Sequence, residues 1–332
     1  MTTSGISARV ARRWQAIDPL LPAPAARPPG CRANIVVAGP DGEPIAIGTC
    51  EHWEGVPGSL DLCWGAARRF QLNAQIAGPD VAAALDRLLS LWRDHLALVP
   101  GAEAQDTAAV VTWPSRDIDG VKPLLRHGLT PLTVAAVRST GRCAGPGDGV
   151  PRRAAGDARS AGPPAAAPGG VRIRRAEAAD IDQVVRLGLE LIRFDAHFDC
   201  VIERPGAAEA LRRYAARMLD VPDSWTWLAE RDGTAVGMLS AEQPADAGWI
   251  APMVGAAPVA YLMQMIVSLG DRGSGLGAAL VAVAHREMEA AGVAAVLLHY
   301  GQLNPLSAPF WSRQGYRPLW TSWEARPARA IR

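Results

Sequence analysis

Residues 271–281, Asp271-Arg-Gly-Ser-Gly-Leu-Gly-Ala-Ala-Leu-Val281, decide the fold of this chain. The apolar run Tyr261–Val267 leads into a loop whose glycines stand at 273, 275 and 277, and that loop opens directly into helical sequence. Such a junction suits a pyrophosphate. Glycine lets the backbone approach closely, the N–H groups of the first helical turn point at the anion, and the helix dipole favours its charge. Arg272 adds a fixed positive charge at the mouth of the loop. Two familiar phosphate motifs fit poorly. A Walker loop needs Gly-Lys-Ser/Thr after four spacer residues, and no such lysine is present. A dinucleotide fingerprint follows the first strand of a βαβ unit and wants an acid roughly 20 residues on, where His299 or Tyr300 stands.

The next 40 residues resolve the ambiguity. Val267-Ser-Leu-Gly-Asp-Arg272-Gly-Ser-Gly275-Leu-Gly277 is followed by a helical stretch, Leu276–Ala291, and by a strand, Ala294–Tyr300. Then comes Asn304-Pro-Leu-Ser307-Ala-Pro-Phe310-Trp311-Ser-Arg-Gln-Gly315-Tyr316. In order and spacing, the two segments resemble the acetyl-CoA loop and the second signature of the GNAT superfamily of N-acetyltransferases. The resemblance implies an α/β fold, an α+β mixed sheet that is twisted and mainly antiparallel, with splayed central strands flanked by helices. It also implies acetyl-CoA as acyl donor, other acyl-CoAs remaining open. The donor would be held by Ile266, Val267, Arg272, Gly273, Ser274, Gly275, Leu276, Gly277, Ala278, Asn304, Phe310 and Trp311.

The implied reaction is direct attack by a substrate amine, without an acyl-enzyme. A preorganised donor to the thioester oxygen contributes on the order of 3 kcal/mol to such a step. The reaction also needs a neutral amine and a protonated leaving thiolate. The family often places a tyrosine at the position of Trp311 for the second task, and an indole cannot act as an acid there. Tyr300, His299 and Ser307 are the candidates to replace it. For the base, Glu242, Tyr261 and His299 are candidates, directly or through water. Each has an ordinary reading as well: a glutamate at a hairpin end is usually solvated, and a strand tyrosine usually packs.

Composition bounds the rest. A chain of 332 residues holds two domains of ordinary size. A net charge of +1 gives no global case for nucleic acid or an anionic membrane. Lys122 is the sole lysine among 34 Lys and Arg, the habit of a GC-rich genome, and the tandem resemblance is of actinobacterial type. Five scattered cysteines without Cys-x-x-Cys read as reduced thiols of a cytoplasmic protein. Cys50, His52 and Cys63 lack a fourth metal ligand, so packing is the better account and no metal is expected. No apolar signal segment opens the chain within Met1–Arg13. Ala247–Gly270 is uncharged and long enough to span a bilayer, but Pro252, Pro258 and Gln264 make it a loop and a buried strand. Among 11 tryptophans, Trp320 and Trp323 either stack on an apolar acceptor or fill a core.

A stretch rich in Gly, Pro, Ala and Arg, residues 139–170, divides the chain and reads as a disordered linker. The two halves match. Val110-Val-Thr-Trp113, Asp117 and Gly128-Leu-Thr-Pro131 correspond to Leu297-Leu-His-Tyr300, Asn304 and Gly315-Tyr-Arg-Pro318, each pair 187 positions apart. Each half also carries an Asp-Gly hairpin, at Asp41-Gly42 and Asp232-Gly233. At the phosphate loop the first half has Ala77-Gly-Pro-Asp80, with no arginine and with a carboxylate at the helix start that repels a pyrophosphate. The expectation is two tandem GNAT-fold domains, a degenerate one over 1–138 and a catalytic one over 171–332. A second, non-catalytic CoA site in the first is left open. The expected acceptor is the amine of a small metabolite, and the protein a monomer or homodimer without nucleic acid or membrane partners. The alternatives are a CoA-binding regulatory protein and a protein N-acetyltransferase.

Overall fold

The computed structural model describes residues 3–24, 33–140 and 170–332, so the interior of the 139–170 linker lies outside the described residues. The first half runs α1 (Thr3–Ile17), β1 (Ala33–Ala38), β2 (Pro44–Glu54), β3 (Arg68–Ile76), α2 (Val81–Ala97), β4 (Thr107–Pro114), α3 (Val121–Arg126) and β5 (Thr130–Ser139). The second runs β6 (Arg172–Arg175), α4 (Ile181–Ala196), α5 (Ala207–Leu219), β7 (Thr226–Arg231), β8 (Thr234–Glu242), β9 (Val259–Val267), α6 (Leu276–Ala290), β10 (Ala295–Gly301), α7 (Ser307–Arg313) and β11 (Arg317–Ala325). Local chemistry sets several of these boundaries. Asp232 and Gly233 both take positive φ, 49° and 76°, the turn whose twist matches a two-residue hairpin. Val296–Leu298 are all buried, as befits a strand covered on both faces.

All 11 strands form one sheet, in the order β1-β2-β3-β4-β11-β5-β10-β9-β8-β7-β6. The last strand of each half therefore lies beside the penultimate strand of the other. β11 pairs antiparallel with β4, and β5 pairs antiparallel with β10. Between them β5 and β11 pair with each other, Arg317 opposite Val137, Thr321 opposite Val134 and Glu324 opposite Thr130. Subtracting 187 from Arg317 gives 130 and from Glu324 gives 137, so these pairs map onto one another. The register is that of an isologous interface, with its pseudo-twofold between Val134 and Thr321.

Helices cover both faces. On one, Leu85, Leu88 and Trp92 of α2 pack on Leu72 and Val111, and Leu280, Ala284 and Met288 of α6 on Leu239 and Leu298. On the other, α4 and α5 set Leu187, Ile192 and Leu211 against Leu228, Met238 and Ile266. Among the described residues the first half has a single helix for this second face: Ile6, Val10 and Trp14 of α1 pack on Ile47, Val137 and Trp320.

Two equivalent loops reach across the pseudo-twofold. Residues 55–67, between β2 and β3, bring Leu60 and Cys63 into the core under α4 and α5, and Ile202 donates its N–H to the Cys63 carbonyl at 2.8 Å. The Arg204 guanidinium binds the Leu62 and Gly65 carbonyls at 2.9 and 3.0 Å and Asp106 at 2.5 Å, which holds that carboxyl below its ordinary range. Residues 243–258, between β8 and β9, bring Ile250 and Val254 against Ile6 and Val10, and Gly255 donates to the Leu20 carbonyl at 2.8 Å. The uncharged stretch Ala247–Gly270 is thus loop followed by β9, and no helix of the described residues is long and apolar enough to cross a membrane.

Exchange of β5 and β11 predicts that the halves hold together without their covalent link. A protease site inserted at about residues 150–160 and cut should leave both fragments co-eluting on size exclusion as one species, because separation would tear three antiparallel ladders open and expose long strand edges. Fragments that elute apart under native conditions would contradict this pairing.

Candidate functional site

β9 and β10 pair in parallel only over Val259–Leu262 and Ala295–Leu298, and beyond those residues they part. On its other side β9 stays in register with β8, where Ser268 donates to the Val236 carbonyl at 2.9 Å. The alternation of a strand then turns the Ile266 amide toward β8 and the Met265 and Val267 backbone into the gap. The donors facing the gap are therefore Met265 and Val267, and Ile266 gives its side chain to the core under α4 and α5 instead. That corrects the sequence expectation by one residue. Arg272 Nε donates to the Val267 carbonyl at 3.0 Å, and the Arg272 guanidinium lies 4.1 Å from the Phe194 ring centre at the end of α4.

The phosphate loop is shaped by Gly273 and Gly275, with φ of 79° and 86°, a region that side-chain-bearing residues rarely enter. No side chain caps α6, so the N–H groups at Leu276, Gly277 and Ala278 have no intrahelical acceptor. The Ser274 hydroxyl is turned onto the loop's own backbone, donating to the Asp271 carbonyl at 2.6 Å, while Asp271 is held by Arg231 at 2.5 Å. Leu276 buries its side chain under the helix and offers only backbone. At Gly277 a Cβ would stand 3.3 Å from the Phe310 ring, so glycine is what lets α7 close on α6. Trp311 packs edge-on between Phe310 and Tyr316, at 4.9 and 5.3 Å, and borders the cleft from within the core.

Asn304 is buried, accepts from the Leu306 N–H at 3.0 Å and donates to Asp195 at 3.1 Å. Asp195 closes α4 beside Phe194. Burial raises its carboxyl to about 6, against the lowering effects of the Asn304 hydrogen bond and the Arg272 charge. Phe194 and Asp195 were missed in the sequence, because two residues ending an amphipathic helix carry no motif.

The first-half counterpart of the loop differs in the way its residues imply. Asp80 caps α2 by accepting from the Ala83 N–H at 2.9 Å, and the Ala77 and Gly78 amides both donate to the Ile45 carbonyl, at 2.8 and 3.0 Å. Three of the donors that an anion would use there, at Ala77, Gly78 and Ala83, are already engaged, and the Asp80 carboxylate faces the site.

Three of the four catalytic candidates converge at the parting strands. The Tyr261 hydroxyl and His299 Nδ1 are 2.9 Å apart. Trp249, in the loop after β8, stands edge-on to Tyr261 at 4.8 Å, parallel to the His299 ring at 6.4 Å, and donates its N–H to Glu242 at 2.7 Å. His299 opens onto the cleft yet sits deep between protein walls, and the loss of bulk water around it pulls its imidazolium down to about 4. It is neutral at pH 7. Burial likewise raises Tyr261 and Glu242, the latter partly offset by the Trp249 hydrogen bond. Tyr300, one position on, faces the opposite side of β10 among Leu298 and Trp311, also raised by burial. Trp249 is the third residue missed in the sequence; its cue was a lone tryptophan in the uncharged stretch that begins at Ala247, shortly after Glu242. Ser307 opens α7 at the cleft wall. The whole depression holds about 2650 Å³, against about 300–1000 Å³ for an ordinary ligand pocket.

Asp195 gives a pH test of this geometry. Because its folded value lies above the unfolded one, the protonated form adds stability that is fully present below about pH 4 and is lost as pH rises through about 6. Asp195→Asn keeps an acceptor oxygen for Asn304 and removes the titration. The melting temperature of the variant relative to the parent should rise between about pH 4.5 and about pH 7.5. A difference that stays flat would mean that this carboxyl is solvated.

Comparison with known proteins agrees with this geometry. Residues 194–316 match the model of the Acetyltransferase (GNAT) family. A GCN5-related N-acetyltransferase from Sphaerobacter thermophilus superposes with a TM-score of 0.52 at 16% identity, over 89% of this chain and 81% of that one. A GNAT-family acetyltransferase from Colwellia psychrerythraea gives 0.47 at 9% identity, over 98% and 97%. A tandem GNAT protein from the clavulanic acid biosynthesis pathway gives 0.40 at 15%, over 98% and 96%. No curated protein matches the chain. With the phosphate loop, the parted strands and the family match all falling in the second half, the chain carries an acyl-CoA-dependent acetyltransferase domain of the GNAT family.

Proposed function

We propose that the protein moves an acetyl group from acetyl-CoA to the amine of a small-molecule metabolite, with one donor site per chain, in the second half. The observation that carries this reading is the junction of three features on one cleft: uncapped α6, the unpaired edge of β9 and the neutral His299. Acetyl-CoA supplies the activated thioester. The loop amides at Gly273–Ala278 and Arg272 hold its phosphates, and the Met265 and Val267 amides steady the acyl arm and draw charge onto the carbonyl oxygen.

His299 is the proton acceptor in this account. A neutral imidazole does not repel an incoming alkylammonium, and the half-buried Glu242 attracts it. With Nδ1–H directed at the Tyr261 oxygen, Nε2 is free to take the ammonium's proton, which exposes the lone pair that attacks the thioester; the nitrogen's second proton leaves to water as the tetrahedral adduct collapses. Trp249 holds Glu242. Tyr300, set among the side chains on the α6 face, and Ser307, at the cleft wall, are the hydroxyls able to protonate the departing thiolate where Trp311 cannot. The acyl group and the small-molecule acceptor belong to this proposal, as does action in the cytoplasm.

Native mass spectrometry should show one acetyl-CoA per chain, lost in Gly275→Asp, whose new carboxylate meets the pyrophosphate at a backbone position that disfavours side chains. With an accepted amine, His299→Ala should lower kcat by about a hundredfold or more and leave acetyl-CoA binding intact. One donor retained in Gly275→Asp would move the site to the first half, and an unchanged kcat would remove His299 from the chemistry.

A further inference from the structure

The sheet face that bears Tyr261 and His299 does not end at the second half. By register, Gly301 of β10 lies beside Thr133 of β5, Thr133 beside Ser322 of β11, and Ser322 beside Thr112 of β4. On the next strand, Asn73 of β3 lies beside Thr49 of β2. At roughly 4.8 Å per strand, this row starts next to the His299 strand and runs about 25 Å across the first half.

In the second half that face is roofed by α4 and α5. Among the described residues of the first half only α1 serves, and it covers the Ile47 and Trp320 end; along the row Thr49 is buried and Asn73, Thr112, Thr133 and Ser322 stay part-exposed. The row is nevertheless not open surface. It floors the same large cleft as the donor site, and its far wall is the 55–67 loop, tied to α5 by the Arg213 guanidinium on the Gly58 carbonyl at 2.7 Å. A single-sided antiparallel sheet facing plain solvent tolerates any charged residue. This floor holds hydroxyls and amides.

Resting on the acetyl transfer proposed above, we infer that this floor is the acceptor's binding surface, and that it selects an amine carried on a neutral, hydroxyl-rich body such as an amino sugar. The side chains offer both halves of a hydrogen bond. Gln71 donates to Asn73 at 2.9 Å, which leaves the Gln71 carbonyl oxygen and the Asn73 amide protons to the cleft; Thr112 and Ser322 are 3.4 Å apart. Hydroxyl groups, which donate and accept at once, match such a surface. The charges at its margin are internally matched: Glu324 is paired with Arg326 at 2.7 Å, and Arg69 lies 4.2 Å over the Trp53 ring. A polycation finds no uncompensated acidic cluster among the described residues there, and the exposed apolar groups of the cleft, Trp53, Val56 and Trp249, stand at its walls rather than in this row. The floor lies on the side of β10 that carries His299, so a body resting there presents its amine to the neutral imidazole.

The experiment uses the full-length protein with acetyl-CoA and three probe amines: glucosamine, tyramine and spermidine. Glucosamine should be acetylated with the highest kcat/KM. Asn73→Leu and the double variant Thr112→Val with Ser322→Ala should each raise the glucosamine KM by about tenfold. Meanwhile kcat should stay within about twofold, the acetyl-CoA KM should not move, and melting should be unchanged. Saturation-transfer NMR of glucosamine on the same proteins, without turnover, should show binding to the parent and its loss in the variants. Preference for tyramine or spermidine, or floor variants that leave the glucosamine KM and its NMR contact unmoved, would overturn the inference while leaving acetyl transfer standing. Failure to acetylate any amine would count against the proposed reaction, and the NMR contact would still decide the floor.

Discussion

The exchange of β5 and β11 is the constraint on which everything else rests. Each half gives its last strand to the other, and the β5–β11 pair sits at the centre of one continuous sheet. A parallel pair such as β9–β10 must lie beside a strand that can hold β10 from its far side, and here that strand, β5, comes from the first half. The catalytic gap of the second half is therefore braced by the first. The reciprocal loops add to the lock, with Arg204 on Asp106 across one side and Ile250 against Ile6 and Val10 across the other. Removing one half would leave the other with a strand edge and a buried loop surface both exposed.

Within that frame the halves have divided their tasks by small chemical differences. The loop of the second half keeps its backbone donors free because two glycines at positive φ hold it open and nothing caps α6. In the first, Asp80 and the Ile45 carbonyl use the corresponding donors. The same carboxylate that stabilises α2, typically by about 1 kcal/mol as a cap, removes the site that an anion would need. On the opposite face the asymmetry runs the other way. The second half roofs its sheet with two helices and gains a core, while the first leaves polar strand residues bare and gains room.

Much of this was legible in the sequence. The helix after Gly275, the strand before it, both Asp-Gly hairpins and the offset of 187 all follow from periodicity, turn chemistry and repetition, and each is local. The strand exchange is not. Swapping β5 with β11 changes neither the spacing nor the apolar pattern of either strand, since each meets an equivalent partner. Sequence carries no sign of which copy a strand will join. Which amides of β9 face the gap was not legible for a related reason: it depends on hydrogen bonds to β8, whose register shifts at a bulge beside Ser240 and Ala241, rather than on residue type. Trp249 and Asp195 escaped because each acts through a tertiary contact, one reaching Glu242 across a loop, the other Asn304 across 109 positions.

The placement of the titratable groups follows from the same division. His299 stands where the deep core of the second half meets the open cleft of the first, and burial there favours the neutral ring. Glu242 and Tyr261, adjacent on paired strands, are each raised by the same loss of water, so both hold a proton more tightly than an exposed carboxyl or phenol would. Two roofing helices on the first half would pack the Thr133–Ser322–Thr112 row away from the cleft that it floors. Loss of that roof and retention of the brace are thus compatible, because the brace acts through the strand backbones and the roof through their side chains. One half can be stripped on one face and still hold the other's active strands in register.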